Sequence, residues 1–105
     1  MPDKAVKNVM EDVTRGEILL YLEKVYPQGS TPQTLRHYLQ SERAILVDED
    51  RLAFHIHYLA EGGLVSFELQ PRSSLDPEKI RLVKITAAGI DRVEGRPKND
   101  VGVRL

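Results

Sequence analysis

Few side chains in this chain have types and spacing that could do chemistry. Its three histidines are His37, His55 and His57. On a helix, two residues so close in sequence as His55 and His57 point in different directions; on a strand they would share a face and could hold a metal. The helix signals around them are the stronger, and no third ligand stands near by in sequence. His37 reads as a surface residue of a separate helix. The carboxylate run Asp48-Glu49-Asp50 lacks the glycine and distal glutamate of a calcium loop. Serines 30, 41, 66, 73 and 74 are accounted for by caps, turns and strand faces, with no base placed to activate one. P-loop, GxGxxG, GxSxG and HExxH patterns are all missing. With no cysteine, disulfides, zinc–thiolate sites and thiol nucleophiles are excluded. The inventory predicts no enzyme, no cofactor and no metal site. What it leaves is binding chemistry: arginines and lysines that can hold phosphate, and aromatic rings that can meet a base or a protein.

The 105 residues predict one domain. Hydrophobic residues make up 41% and charged residues 30%, enough of both for one buried core and a solvated surface. A net charge of −1 excludes a polybasic protein but leaves room for a local basic patch. The opening MPDKAVKNVM has no apolar core suited to a signal peptide. The longest apolar runs, Ile18 to Leu22 and Ala44 to Val47, are too short to span a membrane. A cytoplasmic location is therefore the expectation, and the absence of cysteine fits a reducing compartment.

Residues 1–11 alternate charged and small apolar groups and read as a loose arm. A first helix is expected from about Asp12 to Tyr26. Thr14 and Glu17 have capping-box spacing, with Asp12 as a competing cap. Ile18, Leu22 and Val25 share one helical face, and Leu19 and Tyr26 flank it. Pro27 stops this helix and Gln28-Gly29-Ser30 turns the chain. Thr31-Pro32 starts a second helix, which runs to about Glu42 with Leu35, Leu39 and part of Tyr38 inward. After the apolar connection Ala44 to Val47, Asp48 caps a third helix ending near Glu61. Val47 and Leu52 are spaced as a hydrophobic staple around that cap. Leu52, Ile56 and Leu59 form the third helix's core face, and Gly62-Gly63 stops it. The period then changes to two. Val65, Phe67 and Leu69 alternate as in a half-buried strand, and residues 70–78 form a loop. Lys79 to Ile85 is the second strand, where a parity change at Val83 implies a bulge or burial on both faces. Thr86 caps a short helix through Glu94 with Ile90 and Val93 inward, Gly95 stops it, and 96–105 is a tail.

Helix, helix, helix, hairpin, helix is the order of a winged-helix domain. The run from Val47 to Val65 resembles the third helix and first wing strand of winged-helix regulators. It has a polar cap, an apolar ladder and Leu-x-x-x-Gly-Leu-Val, which stands here at Leu59 to Val65. Ile85-Thr86-Ala87-Ala88-Gly89-Ile90 is similar to the Leu-Thr-x-x-Gly segment leaving the wing in the same proteins. Glu94-Gly95-Arg96 and Gly102-Val103-Arg104 resemble small winged-helix proteins of Mu-like prophages. The resemblance spans about residues 12–95. It implies a mainly α domain of α+β class, with a three-helix helix-turn-helix core, a two-stranded antiparallel wing and a short closing helix. It also implies a phage- or prophage-type regulator that binds double-stranded DNA as a homodimer.

In that frame the third helix would enter the major groove. Its outward face is Asp50, Phe54, His57 and Glu61, flanked by Arg51, Tyr58 and Ala53. Arg51 and His57 are the expected base or phosphate contacts, with Phe54 or Tyr58 adding apolar contact. Arg36, Arg43, Arg72, Ser73 and Lys79 are the expected phosphate holders. Arg72-Ser73-Ser74 at the loop tip reads equally as a solvated turn or as a contact with phosphate or a minor groove. Arg92, Arg96, Lys98 and Arg104 make the C-terminal end basic. Against this, residues 32–61 carry three basic groups (Arg36, Arg43, Arg51) and five acidic ones (Glu42, Asp48, Glu49, Asp50, Glu61), a local charge of −2. Glu49 and Asp50 double as stabilisers of the helix dipole. The acidic helix-turn-helix and the outward Phe54/Tyr58 pair support an alternative, a winged-helix protein-interaction module without nucleic acid. The first helix and the terminal segments are the natural dimer elements.

Overall fold

Apolar residues three and four apart decide how the helices meet. The computed structural model describes the backbone of residues 2–95 and the side chains of residues 9–95. Ile18, Leu19 and Leu22 of helix α1 (Pro2–Lys24) are fully buried. They meet Leu35 and Leu39 of α2 (Pro32–Arg43) and Leu52, Ile56 and Leu59 of α3 (Glu49–Glu61) in one core. Each such side chain contributes roughly 1.5–3 kcal/mol by leaving water. Tyr21 and Tyr38 stack with ring centres 4.3 Å apart, extending the α1–α2 contact.

The first helix starts ten residues earlier than the capping-box spacing predicts. No glycine or further proline interrupts residues 3–15, so nothing stops the helix from propagating back to Pro2. Thr14 is therefore mid-helix, and its hydroxyl donates to the Met10 carbonyl at 2.8 Å instead of capping. Glu17 reaches Arg43 instead of a helix start. The segment read as an arm is helical from Pro2 onward. The tail 96–105 lies outside the described residues.

The other caps form where the sequence places them. The side chains of Thr31, Asp48 and Thr86 accept hydrogen bonds from the backbone N–H groups of Thr34, Arg51 and Gly89. Asp48→Ala is expected to cost about 1 kcal/mol in urea denaturation, the usual worth of a cap. A loss below about 0.3 kcal/mol would show that α3 does not depend on it.

Strands β1 (Val65–Leu69) and β2 (Ile80–Ile85) pair antiparallel from Val65↔Ile85 to Leu69↔Ile80, with an irregularity between Glu68 and Leu69. The bulge reading of the parity change holds: Glu68 pairs with Leu82 and Leu69 with Ile80, so Arg81 is skipped and Ile80 and Val83 are both buried. Ser30 adds a bridge on the other edge of β2. Ser30 N–H donates to the Val83 carbonyl at 2.8 Å, and Val83 N–H returns a bond at 2.9 Å. Helix α4 (Ala87–Val93) closes the unit against α1. The result is an α+β winged helix, with α2 and α3 as the helix-turn-helix and the 65–85 hairpin as the wing.

Candidate nucleic-acid interface

The face that could meet a partner is built by α3 and the wing. Burial of Leu52, Ile56 and Leu59 fixes the rotation of α3, so Asp50, Phe54, His57 and Glu61 point to solvent, as their spacing predicts. Phe54 is 46% exposed and Tyr58 36%. Their rings lie 6.5 Å apart and tilted. His57 stands on the wing side of the helix, edge-on to Phe67 of β1 at 4.7 Å.

A neutral histidine and a charged arginine sit close beneath this face. His55 is 2% exposed and Arg15 5%. Arg15 Nη1 lies 3.3 Å from His55 Nδ1. Arginine can only donate, so that nitrogen is the acceptor and the ring proton belongs on Nε2. Burial first, then the nearby charges of Arg15 and Arg51, lower the His55 pKa to about 4. Arg15 Nη2 also bonds Asp12 Oδ1 at 2.8 Å, and the guanidinium lies 4.1 Å from the centre of the Tyr58 ring. The helical spacing of His55 and His57 sends one ring into the core and the other outward, so the two diverge.

The expected phosphate holders are largely engaged within the chain. Arg36 Nε donates to the Val47 carbonyl at 3.1 Å and steadies the α2–α3 turn. Arg43 Nε pairs with Glu17 Oε1 of α1 at 3.0 Å. Arg51 Nη2 pairs with Glu11 Oε1, and its guanidinium stacks 4.3 Å from the Phe54 ring. Lys79 Nζ meets Glu49 Oε1 at 2.7 Å, tying the wing base to the first turn of α3. That bond, and the charge behind it, raise the lysine pKa and lower that of the carboxylate. Arg72 and Ser73 are exposed in the wing loop, and Arg72 makes no ion pair among the described residues. Arg92 lies on α4, and Arg96, Lys98 and Arg104 are outside the described residues.

A cleft of about 240 Å³ opens between the start of α2, α3 and the wing base. Glu49, Asp50, Asp76 and Glu78 line it, against Arg36 and Lys79. Four carboxylates facing two cations make a poor phosphate cradle. The structure thus groups Arg36, His57 and Lys79 around this cleft and Arg51, Phe54 and Tyr58 on the α1 side of α3. Arg72 and Ser73 stand apart on the loop, and Arg43 belongs to the α1–α2 contact. Sequence reasoning missed the roles of Glu11 and Arg15, which lie forty positions or so upstream of their α3 partners and have no local motif, and of Asp12, which holds Arg15 from the preceding turn.

A three-helix core with a two-stranded wing and a closing helix places this chain in the winged-helix class of fold. Among solved structures it is similar to that of a PadR-like transcription factor from Bacteroides fragilis. The TM-score is 0.59 at 15% identity, covering 88% of this chain and 81% of the other. At that identity the likeness is one of fold. No protein-family model and no curated protein sequence matches the chain.

Proposed function

We propose that this protein is a small DNA-binding regulator of transcription. One observation carries the reading: α3 stands uncovered beside the wing, the arrangement by which a winged helix presents one helix to the major groove and a hairpin to the flanking backbone. The fold shared with a transcription factor supports it. Arg51, His57, Phe54 and Tyr58 are the residues assigned to the groove, and Arg36, Arg43, Arg72, Ser73 and Lys79 those assigned to phosphates. A homodimer would double the phosphate contacts and set half-site spacing. The resemblance of Glu94-Gly95-Arg96 and Gly102-Val103-Arg104 supports a phage or prophage type. No described helix is long and apolar enough to cross a membrane.

A second reading has its own observation. Three of the site's cations, Arg43, Arg51 and Lys79, are bound to carboxylates of the same chain while Phe54 and Tyr58 stay exposed, which favours a protein partner over nucleic acid. Fluorescence anisotropy against random-sequence duplex, titrated with salt, separates the two. DNA binding is expected at low salt and should weaken steeply as salt rises, because phosphate contacts release counterions. No binding at low salt would overturn the first reading and leave the Phe54/Tyr58 face as the place to look for a protein.

A further inference from the structure

Arg51 is the one lysine or arginine in α3. Its Nη2 is held by Glu11 of α1, and the paired oxygen, Glu11 Oε1, is sealed from water. The Arg51 side chain is 40% exposed and that of Glu11 20%. The carboxylate therefore lies beneath the guanidinium, whose outer edge stays reachable while its charge is neutralised. A carboxylate and a phosphate present the same acceptors to guanidinium, and the strongest hold on either is the two-pronged fork. With one Nη group committed to Glu11, a phosphate that takes both Nη groups must displace it. Release would leave a sealed oxygen without the partner it has now, which opposes the exchange.

We propose that Glu11 is a built-in competitor for DNA phosphate, holding the only permanent cation of α3 until DNA displaces it. The proposal rests on the DNA-binding reading above and adds a control to it. The same stretch of α1 grips α3 through Arg15, at the Tyr58 ring and His55 Nδ1. The position of α1 therefore sets how firmly Arg51 is withheld.

The test is a double-mutant cycle in the full chain, with Glu11→Gln and Arg51→Gln made singly and together. Glutamine matches glutamate in size, and in place of arginine it keeps a polar side chain without the charge. Each protein is titrated with fluorescein-labelled random duplex over a range of salt. Glu11→Gln is expected to tighten binding by roughly two- to fivefold, the scale of one exposed ion pair that DNA no longer has to break. The slope of log affinity against log salt should stay that of wild type, because Arg51 meets phosphate in both complexes. In the Arg51→Gln background no gain should occur, and the slope should be shallower by about 0.9. An equal gain in both backgrounds would mean only a general loss of negative charge and would overturn the proposal. No gain in either background would overturn it as well. Both results leave the DNA reading standing, because the wild-type protein still binds. Salt-sensitive binding by none of the four proteins would overturn that reading and this proposal with it.

Discussion

Gly89→Ala is expected to destabilise the protein by about 3 kcal/mol, the upper range for forcing atoms into a filled space. A Cβ at this position would collide with the Leu64 carbonyl oxygen and lie 2.6 Å from Ile85 Cγ1. The first turn of α4 is fastened to that same carbonyl. Thr86 N–H donates to the Leu64 carbonyl at 3.0 Å, and Thr86 Oγ1 donates to the Gly63 carbonyl at 2.6 Å. Gly89 N–H in turn donates to Thr86 Oγ1 at 3.1 Å. An added methyl must push α4 off the α3–β1 junction and break this set, which is the physical reason for glycine in the Thr-x-x-Gly segment. The sign makes the test decisive. In a helix without such contact, alanine is favoured over glycine by about 1 kcal/mol. Urea denaturation should show a lower midpoint with an unchanged slope. A neutral or raised midpoint would mean that α4 does not sit this close to Leu64.

Acid is expected to destabilise the fold through His55. The ring is buried, and Arg15 of α1 and Arg51 of α3 both oppose a further positive charge there, while Asp12 and Tyr58 engage Arg15. The folded pKa is about 4, against 6.5 for an unperturbed histidine. Between these values the unfolded chain takes up a proton that the folded chain refuses. Stability is therefore fully present above pH 6.5 and is lost progressively as pH falls toward 4, where the loss levels off. A shift of this size corresponds to about 3 kcal/mol. Unfolding free energies of wild type and His55→Gln, compared across this window, isolate the effect from carboxylates that titrate alike in both. The wild-type curve should fall more steeply by that amount. Parallel curves would show that His55 is not held neutral in the core. His37 and His57 are exposed, and His57→Gln serves as the control.

Much of the architecture was legible because its causes are local. Thr31, Asp48 and Thr86 each sit just ahead of an apolar ladder and cap it, since a short polar side chain satisfies the free N–H groups of a helix start. Pro32, Gly62 and Gly63 punctuate the chain through backbone geometry alone. The alternation at 65–69 marks a strand because successive side chains point to opposite faces. Thr14 misled because capping spacing means nothing inside a helix that has no reason to stop.

The candidate interface was legible in outline and not in its charges. Spacing alone turns Phe54, His57 and Tyr58 outward, because the apolar stripe of α3 must face the core. Composition alone makes the helix-turn-helix acidic. Which carboxylate meets which cation is another matter. Glu11 reaches Arg51, and Arg15 reaches His55, across forty residues of sequence. These pairs exist only once α1 has been laid across the core at a particular angle. Helix periodicity, caps and turns were set by neighbours in the chain, whereas the burial of His55 and the holding of Arg51 were decided by packing between elements, for which a residue's own neighbours carry no signal.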